Sequence, residues 1–560
     1  MIKIRTLLLI TLLPVVLLAG LCFTWSIGLS SASASALLHP PAAPMSDDGD
    51  EDARSRFRGV IVSRPDDGLG EWVIVGGNGV TRTVMVVRGT RLDDGILSPG
   101  DWARVEGNRL NNGTLEATRI RLDSQETGQI VVRLASDVLS TTIASRYSLT
   151  AGSTVLASGR IYLFNTPSED DEIDELLEEL LDDPDVLWAE PNYVGRVPEG
   201  DPYKTWRWGG PDPKHFVDQA AFDQINLEPV RAHYQGAGIV VAVLDTGIDL
   251  HHPGLAGHWL DGYDMIADDT NPQEEGPGVG WGHGTHVAGI IAHIAPQSKL
   301  LPIRVLDAEG RGNTFTLAYA IEWGVAHGAD VINLSLGTPF DSSVLRQAIA
   351  DAIGEGVIVV AAAGNGNQPI RQYPVGYSDV IGVTAVDSRN HKANFANYGL
   401  WIEFAAPGVG ITSTIVGAHG SGYAGWSGTS MSTAFISGAM ALAREKWQES
   451  SPDEILQAFQ TDGGDLDSGN PDHVGKLGRL LNISAPLMAD LPPTATPIQT
   501  PEPTPTLTPT PTATDQPIET GTPVATITPT LLPTTPSATP SPTEPPSTNL
   551  TNRVYMPITF

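Results

Sequence analysis

I-V-V-A-V-L-D-T-G-I-D, residues 239–249, decides the fold. Six apolar residues run without alternation into Asp245, and a threonine and a glycine follow. A strand that is apolar on both faces belongs in a parallel sheet whose two sides are covered by helices. Three further runs share this character: D-V-I-N-L-S-L, V-I-V-V-A-A-A and V-I-G-V-T-A-V. Between and after them the apolar spacing changes to the helical period, over residues 316–327, 342–354 and 451–459. The last of these opens on S-P-D-E, with a cap serine, a proline at the first helical position and a capping-box glutamate. Residues 201–484 are therefore predicted to form an α/β domain, a parallel sheet with helices on both faces.

Three polar motifs stand at the ends of these elements. Asp245 closes the first strand, His283 opens a helix in H-G-T-H-V-A-G, and Ser430 begins another in W-S-G-T-S-M-S-T-A-F. A serine hydroxyl is a poor nucleophile at neutral pH, so it needs a base to take its proton and an acid to orient that base. The hydroxyls crowded around Ser430 read locally as a helix cap, which would set Ser430 beside an electropositive helix end. D-T-G, H-G-T-H-V-A-G and G-T-S-M, in the order Asp, His, Ser, resemble the subtilisin-like serine proteases (subtilases, peptidase S8).

The resemblance implies a subtilisin-like fold and a serine endopeptidase acting on proteins or peptides, with no cofactor required for the chemistry. His283 would be the base and Asp245 its orienting acid. Asn365 of A-A-A-G-N and the backbone N–H of Ser430 would hold the oxyanion. Ser335, Leu336 and Gly337 of N-L-S-L-G, together with Gly364, would line the substrate strand. Gln372 stands where the family often has a glycine at the pocket floor, which favours medium-sized apolar side chains. His286, one helical turn after His283, reads as structural.

Several residues depart from the family pattern. Ala434 and Phe435 replace a proline and a histidine. Gly254 and the uninterrupted V-A-G-I-I-A-H-I-A-P remove the family's tight calcium site. Asp264, Asp268, Asp269 and Asn271 remain candidates for a weaker structural calcium site, against a solvated acidic loop.

Upstream, residues 56–124 alternate β-branched residues with D-D-G, G-G-N-G, S-P-G and N-N-G turns, predicting five short strands in a small OB-like β-barrel. Arg54, Arg56, Arg58 and Arg64 read as its solvated basic edge. Residues 127–198 give strands around a helix whose Ile173, Leu176, Leu177, Leu180 and Leu181 share one face. With the terminal A-E-P-N-Y this α+β unit resembles the inhibitory propeptides of subtilases. The resemblance implies self-processing near residues 197–204 and a propeptide that acts as intramolecular inhibitor.

The ends point to export. Lys3 and Arg5 precede an apolar run, and A-S-A-S-A follows it, so residues 1–36 read as a signal peptide and residues 37–55 as an acidic linker. Residues 491–548 are a Pro/Thr-rich stalk suited to cell-surface attachment, followed by a short peptide at 551–560. The single cysteine, Cys22, lies in the leader, which leaves the mature chain without a disulfide. Against 33 basic residues stand 65 acidic ones, a formal net charge of -32 that disfavours nucleic acid as a partner. The reading is a secreted monomer. Two rivals remain: an aspartic protease pairing Asp245 with Asp467, and a catalytically dead exported scaffold.

Overall fold

The computed structural model describes residues 54–489, apart from short breaks at 66–67, 77–80, 93–96, 98–101, 111–112, 157–158, 168–172 and 200–206. The expected leader, the linker up to residue 53, most of the expected cleavage window, the stalk and the terminal peptide lie outside the described residues.

Eight strands make the central sheet, and all their mutual pairings are parallel. Their order is Tyr263–Asp264, Lys299–Arg304, Val240–Asp245, Val331–Leu334, Ile358–Ala362, Ile381–Val386, Phe404–Pro407 and Arg479–Leu480. The strand Val240–Asp245 shows why its sequence lacks alternation. Val241 and Val243 pack with Val287, Ile291, Met431 and Phe435 from the helices His283–Ile294 and Thr429–Lys446. Ala242 and Leu244 point the other way, among Phe315, Ile321, Leu345 and Ile349 of the helices Thr314–Ala326 and Ser343–Gly354. With both faces dry, each fully buried aliphatic side chain contributes about 1.5–3 kcal/mol. Parallel strands that enter the sheet together end together, so Asp245 and the segments following Leu334 and Ala362 reach one edge.

The predicted caps are present where their geometry is local. Ser342 accepts from the Leu345 N–H, and Ser451 and Glu454 close a full capping box on the helix Pro452–Asp462. The helix Thr314–Ala326 begins two residues earlier than its apolar spacing indicates, because the Asn313 side chain caps it.

Upstream, a six-stranded sheet closes on itself through pairing of Thr81–Val86 with Leu115–Leu122, giving a barrel-like unit around Ile61, Trp72, Ile74, Val105 and Ile120. The strand beyond the expected five is the two-residue Arg91–Leu92, too short to leave a periodic signal. In the next unit the strands Val186–Arg196, Gln125–Leu134, Ile161–Asn165 and Thr150–Leu156 lie side by side with the helices Ser140–Arg146 and Ile173–Leu181. The first of these helices buries only Ile143, so no apolar stripe announces it.

This α+β unit sits on the two helices that cover one face of the large sheet. Glu190 accepts from Ser342 Oγ at 2.8 Å, Ser343 N at 2.7 Å and Val344 N at 3.1 Å, so it caps one helix. Asn192 Oδ1 accepts from Phe315 N at 3.1 Å at the start of the other, and Tyr193 stacks on Phe340 with ring centroids 4.9 Å apart. A-E-P-N-Y is thus the docking surface of the unit.

The barrel joins at Asp123. Its buried carboxylate meets Arg58 and Arg104 of the barrel at 3.5 and 3.0 Å, Arg196 at the end of the strand Val186–Arg196, and Arg311 of the large domain at 3.3 Å. Burial opposes the charge on Asp123, but these four guanidinium groups outweigh it and hold the carboxyl well below the usual range. Arg58 is therefore not part of a solvated edge; it turns inward because a carboxylate waits there.

Candidate active site

Asp245 ends its strand fully buried, and the backbone N–H of Thr246 donates to its Oδ1 at 2.7 Å. His283 is the first residue of its helix. The turn before it needs a left-handed residue at 282, φ 91°, which glycine supplies without strain. His283 Nδ1 lies 2.7 Å from Asp245 Oδ1, so this nitrogen carries the proton and the ring is fixed.

A carboxylate that the motifs did not anticipate occupies the space beyond. Glu199 Oε2 lies 3.0 Å from His283 Nε2 and accepts from Ser430 Oγ at 2.7 Å. Its Oε1 accepts from Asn365 Nδ2 at 3.0 Å and from Ser430 N at 3.3 Å. The imidazole and the serine hydroxyl therefore face each other across one oxygen atom. Burial disfavours charge on His283, yet Asp245 and then Glu199 raise it to about 10. Burial also opposes the charge on Glu199, but hydrogen bonds from His283, Ser430 and Asn365 keep it below the ordinary glutamate range. The two form a buried ion pair.

Ser430 stands at the second position of the helix Thr429–Lys446, but the expected hydroxyl cap is not what holds it. The cap residue is Gly428, with no side-chain cap bond. Thr429 N donates to Asn365 Oδ1 at 3.0 Å and Ser430 N to Glu199, so the orphan donors of the first turn are used by the site itself. The neighbouring hydroxyls bond elsewhere: Ser432 to the carbonyls of Ala406 and Pro407, Ser437 to Asn333. Asn365 is aimed by Thr429, whose N–H and hydroxyl both bond to its Oδ1.

Glu199 arrives on an extended segment lying in a groove. Val194, Gly195 and Arg196 pair antiparallel with Asn313, Gly312 and Arg311, and Arg196 exchanges two 2.9 Å backbone hydrogen bonds with Gly337 on the other side. Val197 N then donates to Gly310 O at 2.9 Å. Both main-chain groups of Gly337 are thus paired with this segment. Ser335 is bonded to Ser430: its carbonyl lies 3.2 Å from Ser430 Oγ, and its own hydroxyl donates to Ser430 O at 3.2 Å. Leu336 is buried beneath. Gly364 is left-handed, φ 97°, and the Gln372 side chain lies against both Gly337 and Gly364.

His286 is neutral: burial pushes it down to about 3, and its Nε2 lies 3.1 Å from two carbonyls. The calcium candidates do not converge. Asp264 Oδ2 pairs with Arg304 at 2.6 Å while its Oδ1 accepts two backbone N–H groups. Asp268 accepts from Tyr263, and Asp269 from Asn271 N. Among the described residues, no group of three or more His, Cys, Asp or Glu side chains is placed to hold a metal ion. Asp467, the rival partner for Asp245, starts a surface turn and accepts from Gly475 N instead. Glu199 and the Gly310–Gly312 wall escaped the sequence reading. V-P-E-G and E-G-R-G-N look like ordinary turns, and only the fold brings them to Ser430.

A serine hydroxyl facing an imidazole that a carboxylate clamps, with an amide and a main-chain N–H aimed at one point, is the type of centre that serves serine hydrolysis. The Subtilase family profile matches residues 236–474. The thermophilic serine proteinase of Bacillus sp. (strain AK1) is 36% identical over 301 residues, 51% of this chain and 70% of that one. Subtilisin BL of Lederbergia lenta is 39% identical over 244 residues, 42% of this chain and 87% of that one. Among solved structures, fervidolysin from Fervidobacterium pennivorans, a keratinolytic enzyme related to subtilisin, superposes with a TM-score of 0.55 at 25% identity. That match covers 66% of this chain and 62%, less than two thirds, of the other. The chain belongs to the subtilase family, and it is a subtilisin-like serine endopeptidase.

Proposed function

We propose that the chain is an exported, self-processing precursor in which Ser430 is the nucleophile, His283 the base and Asp245 the acid that orients it. Residues 201–484 are the catalytic domain and residues 127–198 its propeptide. The strand after A-E-P-N-Y lies along the substrate groove, and Glu199 plugs the centre. The leader and the Pro/Thr stalk support secretion with surface attachment.

The observation that carries this reading is the shared carboxylate. Glu199 Oε1 takes hydrogen bonds from Asn365 Nδ2 and Ser430 N, the two groups that would hold an oxyanion, and so stands in for one. With the plug withdrawn, Ser430 Oγ attacks a peptide carbonyl while its proton passes to His283 Nε2. The carbonyl oxygen becomes negative where Glu199 Oε1 now lies. As the C–N bond breaks, His283 returns the proton to the leaving amine, and a water molecule repeats the sequence to free the acid. Asp245 holds the ring and stabilises the imidazolium. The chemistry needs no cofactor.

Expression of Ser430→Ala tests the reading. The full-length precursor should accumulate uncut, whereas wild type should lose its N-terminal portion, with a new N-terminus in residues 197–204 found by sequencing. Normal processing of Ser430→Ala would contradict self-cleavage.

A further inference from the structure

We infer that Glu274 is a positioning residue for the Asp245–His283 pair, clamping the strand end that bears the acid to the helix start that bears the base. The inference rests on the triad reading above and adds to it a residue that touches neither substrate nor the reacting atoms.

Glu274 is buried, and four donors from two chain segments converge on its carboxylate. Its Oε1 accepts from Thr246 Oγ1 at 3.1 Å, Thr285 N at 3.0 Å and Thr285 Oγ1 at 3.1 Å, and its Oε2 accepts from Gly282 N at 3.0 Å. Thr246 directly follows Asp245, while Gly282 and Thr285 bracket His283. The direction of the two hydroxyl bonds follows from their other contacts. Thr246 Oγ1 accepts from Gly284 N at 3.0 Å, and Thr285 Oγ1 accepts from Asp249 N at 2.8 Å. Each hydroxyl has thus spent one lone pair on a backbone N–H and can turn its proton to Glu274; Thr246 Oγ1 also lies 3.3 Å from Asp245 Oδ1.

The helix explains why the clamp is needed. Its cap residue is Gly282, which has no side chain to satisfy the first-turn donors. Gly284 N and Thr285 N find their acceptors across the chain, at Thr246 and Glu274. The cap of the His283 helix is therefore built partly from the residue after Asp245, and neither half of the pair shifts without the other.

The clamp encloses a buried carboxyl. Among the described residues Glu274 has no Lys or Arg partner; four donors and the positive end of the helix offset its charge. Burial pushes its carboxyl up to about 8, with the nearby Asp245 charge adding to the rise. Each threonine hydroxyl keeps a second lone pair, so a protonated Glu274 can donate its own hydrogen to one of them. Because the folded site raises this pKa, ionising Glu274 costs stability, a cost that grows as pH rises from the ordinary glutamate range to about 8.

The test uses the active form purified from full-length wild type, Glu274→Gln and Thr285→Val. With a peptide p-nitroanilide, Glu274→Gln should lower kcat about 10-fold or more while KM stays within about twofold, since displacing a catalytic group costs turnover before binding. The kcat–pH profile of wild type should carry an inflection near pH 8 that Glu274→Gln lacks. The downfield NMR resonance of the His283 Nδ1 proton should shift in the variant. If Glu274→Gln fails to fold, Thr285→Val removes one arm only and should lower kcat by a smaller factor, again with KM unchanged. Folded variants with wild-type kcat, pH profile and Nδ1 resonance would overturn the inference, as would losses accounted for by a lowered Tm alone. Failure of the underlying triad reading shows separately, as wild type that no fluorophosphonate labels at Ser430.

Discussion

Glu199→Gln takes one charge out of the catalytic centre and leaves its shape almost intact. The carboxylate now accepts from Ser430 Oγ, Ser430 N and Asn365 and pairs with a protonated His283. An amide keeps one good acceptor but loses the charge-assisted bond to the imidazolium, worth about 2–3 kcal/mol in a buried site. The ratio of plugged to open precursor should fall roughly 30- to 150-fold, and self-cleavage should quicken accordingly. The pH dependence follows from the same contacts. The pKa of His283 is raised from 6.5 to about 10, so the plug is fully held below the ordinary imidazole value and is lost as pH climbs toward 10. The pKa of Glu199 is lowered from 4.5, so its share is present above that value and is lost as pH falls below it. Wild-type precursor should be most inert between about pH 5 and 6.5 and activate progressively in alkali. In Glu199→Gln the alkaline rise should begin earlier, at the pKa that His283 has beside Asp245 alone. The assay is the time course of precursor loss on gels at fixed pH from 5 to 10. Equal rates and equal pH midpoints in the two proteins would refute the plug.

Asn365→Ala should lower kcat by about 10² to 10³ with little change in KM, a range taken over from the corresponding amide donor of a subtilisin; an unchanged turnover number would place the oxyanion elsewhere. Glu190→Ala leaves the Ser343 and Val344 N–H groups without their side-chain acceptor and should weaken the hold of residues 127–198 by about 1–2 kcal/mol, seen as faster release of the cleaved propeptide during gel filtration. Asp123→Asn leaves Arg58, Arg104, Arg196 and Arg311 facing one another with too little negative charge, so the blocking strand should loosen. Precursor with that change should label faster with a fluorophosphonate; an unchanged labelling rate would mean the barrel plays no part in holding the segment closed.

The parallel sheet was legible because a strand buried on both faces must be written in uninterrupted apolar residues, as at 240–244. Asp245 at a strand end, Asn365 three residues beyond another, and His283 and Ser430 at helix starts stood out in the sequence because each falls in a short motif beside a regular element. The misreadings concern partners distant in sequence. The hydroxyls near Ser430 suggested a local cap, but Asn365 and Glu199 supply the acceptors from elsewhere. Arg58 looked like a solvated edge because Asp123, its partner, is 65 positions away and is drawn in by a fold the arginine itself does not reveal. Asp264 read as a weak calcium candidate or part of a solvated acidic loop because its counterion, Arg304, comes from the neighbouring strand. Charge pairing across a fold leaves no period in a sequence, whereas dry strands and turns do.

The central claim is that His283 and Asn365 make the Ser430 oxygen reactive once Glu199 has left. Treating the processed wild-type protein with a fluorophosphonate and mapping the adduct by peptide mass spectrometry tests it directly. One adduct, on Ser430, is predicted, absent from Ser430→Ala and slowed in the unprocessed chain; processed protein that stays unlabelled, or carries the adduct on another residue, would contradict it.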